Sequence, residues 1–239
     1  LGQSAIGKTD KNGELTVPEV EQTERHGVYI VGYTDGTFGP SRSMTRSEAA
    51  AIFARLLAEK NGDTISTAAN TKFTDIPAHA WYSGYVKYLA NNGITYGKSK
   101  TIFAPNDAIT RAEFTTMAVR FFDVYGDGDA EIMEQFSGFN DVSSGYWAAE
   151  YIKYAALHGW INGYGDGSFH ADREINRAEV VTIVNRLLGR EADEDYIADN
   201  LRKLNTFPDV SRKHWAYYAV MEAANAHTAV LGESESWSK

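Results

Sequence analysis

Three arginines recur at almost equal intervals along the 239-residue sequence, at spacings of 65 and 66 residues. Each follows a Thr or Asn and precedes a Glu by two positions, a pattern typical of a helix start with a capping box. An arginine there lies in the first helical turn, where the helix dipole disfavours a cation by about 0.3–1 kcal/mol. An unfavourable placement that occurs three times suggests that the arginines have a function. A guanidinium beside helix-start N–H groups can bind a carboxylate in bidentate fashion. The arginines predicted to bind an acidic ligand are Arg46, Arg111 and Arg177.

The surrounding residues leave a structural alternative open. The arginines could instead form ion pairs that hold neighbouring repeats together, with Asp75, Asp141 and Asp209 as partners, and both roles could hold at once. The nearby glutamates fit capping better than ligand binding, because each lies three positions after its capping residue. The predicted capping pairs are Thr45 with Glu48, Thr110 with Glu113, and Asn176 with Glu179.

A second motif, Phe-x-Asp, also occurs three times, beginning at Phe73, Phe139 and Phe207, and a tryptophan follows each copy. The tryptophans could stack on the C–H faces of a sugar and donate an indole N–H to a hydroxyl, or they could anchor a helix in the core. The aspartates could contact a ligand, although an Asp shortly before a helix is more typical of a cap. These candidate residues are Trp81, Trp147 and Trp215, with Asp75, Asp141 and Asp209.

The two motifs alternate along the chain, which predicts a repeated unit of helix, loop and helix. Residues 73–122 and 139–190 hold complete units. Residues 28–60 supply only a loop and a second helix, and residues 207–226 only a first helix. An unpaired half would expose its apolar face. We therefore expect the terminal halves to pair in space and to close a pseudo-threefold ring.

The second helix of each unit carries an apolar stripe at helical spacing. Three matching stripes need a common burial partner, and the simplest is a central bundle of the three second helices. The sequence therefore predicts a mainly α fold. The stripes fall at positions 49, 52, 53, 56 and 57, at 114, 117, 118, 121 and 122, and at 180, 183, 184, 187 and 188.

Composition limits the partners of the chain. The formal net charge of -9 argues against nucleic acid as the main binding partner. Any anionic ligand must therefore be bound by a few cationic side chains that lie close together. No stretch reaches the roughly 18 consecutive apolar residues of a membrane span. The absence of cysteine excludes disulfides, thiolate zinc sites and cysteine nucleophiles. Leu1 is neither an initiator nor the opening of a signal peptide, which indicates a mature or shortened chain.

Three further segments lie outside the repeats. Residues 1–27 form an N-terminal extension in which Lys11-Asn-Gly-Glu14 predicts a hairpin turn. Residues 191–204 have enough Leu, Ile and charge to form an extra helix. Residues 227–239 are rich in Ser and Glu, and we expect a frayed tail there.

The order of these motifs resembles the S-layer homology family. Gly-Tyr-x-Asp-Gly-x-Phe, Thr-Arg-x-Glu and an amphipathic helix alternate with Phe-x-Asp and a tryptophan-led helix over about residues 28–226. The resemblance implies a monomeric, three-pronged, non-catalytic module that anchors a protein in the Gram-positive cell wall or S-layer, outside the cell. It also implies binding of secondary cell-wall polysaccharide, often pyruvylated, in grooves between repeats. The positions that match the binding motif are Arg46, Arg111 and Arg177, with Gly32, Gly97 and Gly163 and the three tryptophans beside them.

The repeats are not identical, and this bears on function. The middle repeat has Lys100 and Thr101 where the others have Asp-Gly, and the third repeat has Asn176 for Thr and Ala171 for a proline. We therefore expect the three grooves to bind a ligand unequally.

A different kind of function is also compatible with these repeats. The chain could be a structural module that makes protein–protein contacts in a surface lattice. The glycines have an alternative too, since a need for positive φ would explain them without a sugar.

Metal and catalytic signatures are weak. Residues 8–19 imitate part of a calcium loop, but Lys8 occupies the position of the first carboxylate. An acidic segment with Asp123, Asp127 and Asp129 is more typical of a solvated loop. The six histidines show no ligand spacing, and no nucleophile elbow, phosphate loop or dinucleotide motif is present. The sequence predicts neither metal, cofactor nor enzymatic activity.

Overall fold

The computed structural model describes residues 8–9, 15–16, 22–66, 68–126, 136–231 and 235–238. Within these residues the chain is mainly helical, with two small antiparallel sheets. The helices are α1 (Arg46–Asn61), α2 (Ser83–Asn91), α3 (Arg111–Tyr125), α4 (Ala149–Leu157), α5 (Arg177–Leu188), α6 (Glu194–Asn200) and α7 (Tyr217–Ala224), with a 3-10 turn at Leu201–Lys203. The strands are β1 (Lys8–Thr9), β2 (Leu15–Thr16), β3 (Gln22–His26), β4 (His227–Leu231) and β5 (Ser236–Ser238).

The long helices α1, α3 and α5 begin where the capping pattern predicts. The Thr45 hydroxyl accepts the Glu48 N–H at 3.2 Å, and the Glu48 carboxylate accepts the Thr45 N–H at 2.8 Å. The same reciprocal pair forms at the starts of α3 and α5, so all three capping boxes are confirmed. The predicted apolar stripes are buried, apart from Phe122 and Leu188, which are half-buried.

The starts of the long helices are joined by hydrogen bonds that run in a cycle. Met44 N–H donates to the Ile175 carbonyl at 2.9 Å, Ile175 N–H to Ile109 at 3.0 Å, and Ile109 N–H to Met44 at 2.9 Å. Helix α3 also packs against both α1 and α5. The cycle ties together three segments that lie far apart in sequence.

The first N–H groups of these helices are also occupied. The N–H groups of Arg46, Arg111 and Arg177 donate to the carbonyls of Asp107, Arg173 and Arg42, at 2.8–3.0 Å. This corrects the sequence-based picture of free helix-start donors, because loops from neighbouring units saturate them. A ligand must therefore be caught by side chains rather than by the helix ends.

Each short helix packs against the long helix that precedes it: α2 on α1, α4 on α3, and α7 on α5. Their N-terminal positions have no side-chain cap, so the prediction that the motif aspartates cap these helices is wrong. The predicted extra helix in 191–204 is confirmed by α6.

The Phe-x-Asp motif instead clamps the loop that precedes a long helix. Asp141 accepts the N–H groups of Phe169 and His170, both at 2.7 Å, and Asp75 holds the corresponding loop before α3 in the same way. A carboxylate bound by two backbone N–H groups makes strong, charge-assisted hydrogen bonds. The motif therefore fixes the loop rather than starting a helix.

The third clamp joins the two ends of the repeat region. Asp209 accepts the N–H groups of Phe38 and Gly39 at 2.9 and 2.7 Å, and the Phe207 ring lies 5.3 Å from the Phe38 ring. Tyr29 N–H also donates to the Ala223 carbonyl at 3.3 Å. The loop after residue 28 thus contacts the segment that leads into α7.

The predicted frayed tail is wrong, because β4 and β5 form a sheet with β3 in the order β3-β4-β5. Gln22 pairs with Leu231, and Ala229 pairs with Trp237, whose side chain is buried. The indole N–H of Trp237 donates to the Glu191 carbonyl at 3.2 Å. The Ser- and Glu-rich composition misled the prediction, since the tail is ordered by a partner strand about 200 positions away.

The N-terminal extension contains a strand pair. Lys8 lies opposite Thr16 and Thr9 opposite Leu15, an antiparallel register that a hairpin requires. The predicted turn at 11–14 and most of the calcium-like loop lie outside the described residues, as do Asp127 and Asp129. Among the helices described, none combines the length and the apolar character needed to cross a bilayer.

Three grooves as the candidate binding site

Three surface grooves have the same composition and repeat around the structure. Each contains a buried arginine from the start of one long helix, a glycine from a loop, a second arginine from further along another long helix, and a tryptophan. The first groove is defined by Gly32, Arg55, Trp81 and Arg177, the second by Gly97, Arg120, Trp147 and Arg46, and the third by Gly163, Arg186, Trp215 and Arg111.

The structure therefore brings together most of the sequence-predicted site residues. The predicted arginines, glycines and tryptophans line grooves, but in combinations drawn from different repeats. In the first groove, for example, Gly32 precedes α1, Trp81 precedes α2 and Arg177 begins α5. The three motif aspartates do not line these grooves, because they are engaged with loop N–H groups.

The buried arginines form the floor of the grooves. Arg177 is 3% exposed; its Nε donates to the Phe38 carbonyl at 2.8 Å and its Nη2 to the Val31 carbonyl at 2.7 Å. Its guanidinium carbon also lies 4.6 Å from the centre of the Tyr33 ring. Burial lowers the pKa of Arg177, and of Arg111 in the third groove, although a guanidinium stays charged in proteins. These arginines hold neighbouring units together.

Each buried arginine pairs with the capping glutamate of the next unit. Arg46 Nη1 lies 3.3 Å from Glu113, and Arg111 Nη1 lies 3.4 Å from Glu179. Arg177 closes the cycle, with its Nη1 at 3.7 Å from Glu48. The predicted ion pairs with Asp75, Asp141 and Asp209 are therefore wrong, since a glutamate of the capping box takes that place.

The tryptophans are exposed at the groove edges. Trp81, Trp147 and Trp215 are 55%, 57% and 64% exposed. The interpretation of these residues as core anchors is therefore wrong. Their large apolar faces border an arginine-lined groove, which is an arrangement suited to stacking on a ligand.

The groove glycines are needed because an aromatic ring approaches the backbone closely. A Cβ built on Gly163 would lie 2.5 Å from Phe139 Cε1 and 2.6 Å from the Ser168 carbonyl oxygen. Gly32 is crowded in the same way by Phe207. Of the three groove glycines, only Gly97 has a positive φ, at 81°. Close approach, rather than left-handed backbone, thus explains two of the three positions.

This packing gives a test. Replacing Gly163 with alanine should lower the free energy of unfolding by about 2 kcal/mol, because the added methyl overpacks the contact with Phe139. Replacing Gly165, two residues away in the same loop, with alanine should change it little, because none of the described residues lies within 4 Å of its Cβ position. Urea denaturation followed by tryptophan fluorescence measures both. Equal effects of the two substitutions would contradict the packing explanation.

Sequence reasoning missed the second arginine of each groove. Arg55, Arg120 and Arg186 each lie nine positions after a buried arginine, and this recurrence was the available signal. Arg55 and Arg120 are half-buried and Arg186 is exposed, so their guanidinium groups are more accessible than those of the floor arginines. Arg55 donates from Nη1 to the Tyr29 carbonyl at 3.2 Å, and the Arg120 guanidinium lies between the Tyr96 and Tyr151 rings.

The second groove differs from the other two. Its volume is about 90 Å³, against about 270 Å³ for the first and about 220 Å³ for the third. Lys98 takes the position that Tyr33 and Tyr164 hold in the other loops, and its Nζ lies 3.7 Å from Glu113. In the third groove the Tyr164 hydroxyl donates to the corresponding Glu179 at 3.2 Å. The grooves are unequal in shape, and unequal binding stays a prediction.

A family comparison matches the segments that lead into the three long helices. The model of the S-layer homology domain matches residues 16–50, 72–115 and 138–181, just over half of the chain. The chain belongs to the S-layer homology family. The three matched S-layer homology segments contain the helix starts at Arg46, Arg111 and Arg177 that form the groove floors.

The S-layer homology chain is similar to several bacterial surface proteins. It is 33% identical over 88% of its length to Cell surface glycoprotein 1 of Acetivibrio thermocellus, covering 9% of that protein. It is 30% identical over 97% of its length to the Cellulosome-anchoring protein of the same organism, covering 49% of it. It is 32% identical over 66% of its length to the Surface-layer 125 kDa protein of Lysinibacillus sphaericus, covering 13%. The chain spans about half the length of these relatives or less.

Proposed function

We propose that this chain is a non-catalytic anchoring module at the bacterial cell surface, and that it binds an anionic cell-wall polysaccharide in the three grooves. The names of its relatives, a cellulosome-anchoring protein and surface-layer proteins, support the anchoring role. The chemistry of the ligand is argued from the grooves themselves.

The observation that carries the proposal is the charge of the groove linings. The whole chain has a formal net charge of -9. Among the described residues, each groove is nevertheless lined by two arginines and one glutamate and by no other charged side chain. Each groove therefore carries local positive charge on an acidic protein, which is what selective capture of an anion requires.

The other groove residues favour a sugar as the carrier of that anion. An exposed indole at the edge offers an apolar face to sugar C–H groups and an N–H donor to a hydroxyl. The guanidinium groups can bind a carboxylate, such as that of a pyruvyl ketal, in bidentate fashion. A polysaccharide that repeats such units could occupy more than one groove.

We also propose that the three units lie around a pseudo-threefold axis, with residues 28–60 and 207–226 completing one unit. The cyclic hydrogen bonds of Met44, Ile109 and Ile175 and the three successive Arg–Glu pairs support this arrangement. Linked grooves make the combined retention much stronger than any single contact. Such a module would hold its cargo on a wall although each groove binds weakly.

The experiment is co-sedimentation of the purified chain with Gram-positive cell walls, before and after chemical removal of their secondary polymer. We expect the chain to pellet only with polymer-bearing walls and to be released as the salt concentration rises, because salt screens the arginines. A folded chain that stays in the supernatant with both wall preparations would overturn the proposal. Sedimentation without any walls would instead support the assembly of a surface lattice.

A further inference from the structure

Four ionisable side chains converge in the interior, away from the grooves. His26 ends β3, His227 begins β4, Glu222 lies in α7, and Glu235 precedes β5. One nitrogen or oxygen from each lies within 4.8 Å of the others. The two histidines are 201 positions apart in sequence, which is why ligand spacing gave no sign of them.

Three of the candidate ligand atoms, His26 Nδ1, His227 Nε2 and Glu235 Oε1, form a triangle with edges of 3.1–3.2 Å. His26 Nδ1 lies 3.1 Å from His227 Nε2. Both nitrogens lie 3.2 Å from Glu235 Oε1, and the Glu222 carboxylate faces them with Oε1 3.3 Å from His26 Nδ1 and Oε2 3.3 Å from His227 Nε2. Ligands held about 2.0–2.1 Å from a tetrahedral ion are about 3.3–3.4 Å from one another, so one ion would fit between them.

Glu222 supplies an independent observation. Its side chain is 0% exposed, and neither carboxylate oxygen makes a well-formed hydrogen bond among the described residues, although a histidine nitrogen lies 3.3 Å from each. A buried carboxylate without hydrogen bonds is costly unless a cation balances it. The carboxylate is therefore directed at the two histidine nitrogens, and a cation held between them would balance its charge.

Surrounding groups fix the orientation of the other ligands. His227 Nδ1 lies 3.0 Å from the Asn225 carbonyl, which holds the proton on Nδ1 and leaves a lone pair on Nε2. Glu235 accepts the Trp237 indole N–H at 3.0 Å, and the Trp237 ring stacks on His227 with ring centres 3.8 Å apart. Outer contacts of this kind are typical of a metal centre.

We propose that His26, Glu222, His227 and Glu235 bind one divalent transition-metal ion, with zinc as the best match. Two imidazole nitrogens with two carboxylates are a ligand set that favours zinc, whereas calcium and magnesium prefer all-oxygen ligands. The ion would connect β3, β4, the segment before β5 and α7. It would thereby fasten the sheet of β3, β4 and β5 to the last short helix.

The alternative is that the cluster holds a proton instead of a metal ion, and the experiment must distinguish the two. Burial lowers the pKa of His26, but the carboxylates of Glu222 and Glu235 outweigh burial and raise the pKa to about 9, with Arg190 acting against them. A protonated His26 would balance part of the carboxylate charge without any metal. The two arrangements differ in metal content and in spectrum.

The test uses the full chain, purified without a histidine tag and stripped with a chelator. Zinc is titrated by calorimetry, and bound metal is counted by mass spectrometry after dialysis. We expect one zinc per chain, and one cobalt(II) per chain with the intense visible absorption of a tetrahedral site. Glu222→Gln and His227→Gln should each weaken zinc binding by at least about 100-fold, more than typical outer-shell changes.

His79→Gln is the matched control, because His79 is exposed and lies outside the cluster, and it should leave zinc binding unchanged. Circular dichroism shows whether Glu222→Gln, which keeps the side-chain shape, retains the fold. Failure of the stripped wild-type chain to bind zinc, or binding that survives both Glu222→Gln and His227→Gln, would overturn the proposal. So would cobalt that binds with only the weak absorption of an octahedral ion.

Discussion

Replacing Arg55, Arg120 and Arg186 together with glutamine is expected to weaken binding to polymer-bearing cell walls by at least about 100-fold, with the fold intact. Each charge-assisted hydrogen bond to an anion contributes about 1.5 kcal/mol or more, which is roughly tenfold in affinity. Because the three grooves are linked, their individual losses of affinity multiply in the binding of one polymer. These arginines are half-buried or exposed, so glutamine at each position leaves the core packing in place.

A variant with the same change in net charge provides the control. Lys87→Gln, Arg202→Gln and Lys203→Gln alter three exposed cations outside the grooves. Binding isotherms from co-sedimentation, measured at one salt concentration, compare the two triple variants with the wild-type chain. Equal losses in both would show that overall charge, rather than the grooves, retains the protein on the wall. An unchanged affinity in the groove variant would exclude the second arginines from binding.

The second large effect concerns the floor of the first groove. Arg177→Ala is expected to lower the free energy of unfolding by about 3 kcal/mol, because it removes a buried arginine that pairs with the half-buried Glu48. The carbonyls of Phe38 and Val31 also lose their donor, and the space beside the Tyr33 ring is left empty. Arg177 links the start of α5 to the first loop, so the loss loosens the closure between distant parts of the chain.

Chemical denaturation followed by circular dichroism measures this effect. Arg202→Ala is the matched control, since Arg202 is exposed and should contribute less than about 0.5 kcal/mol. A loss for Arg177→Ala no larger than that control would contradict the structural role of the floor arginines. The expected destabilisation also means that alanine at Arg46, Arg111 and Arg177 cannot test wall binding alone, which is why the second arginines serve that purpose.

The floor arginines can serve structure and ligand together. Their Nε groups are committed to loop carbonyls and their Nη1 groups to glutamates, yet all three line a groove. They therefore set the shape and local charge of the site. The accessible arginines and the exposed tryptophans above them supply the contacts that a ligand can reach.

The smaller second groove fits the departure of the middle repeat from the sequence pattern. Lys98 replaces a tyrosine and lies near Glu113, which adds a cation beside a narrow groove. The first and third grooves share the tyrosine and have more than twice the volume. Under the proposed function, we expect the first and third grooves to bind the polysaccharide more tightly than the second.

The sequence by itself determined the features that depend on neighbours within one helical turn. A Thr or Asn followed three positions later by Glu fixes a helix start, since both capping bonds close inside four residues. The apolar stripes followed from helical periodicity for the same local reason, and the repeat order identified the family. The mainly α class was therefore predictable, and so were the glycine, tryptophan and floor-arginine positions that line the grooves.

Only the tertiary structure decided the partners of these residues. Asp209 holds the loop at Phe38, Arg177 pairs with Glu48, and His26 meets His227, each across more than 120 positions. Such contacts depend on how the helices pack and on which groups burial leaves without a partner. Spacing along the sequence predicts neither of these, because a side chain contacts the groups that lie near it in space.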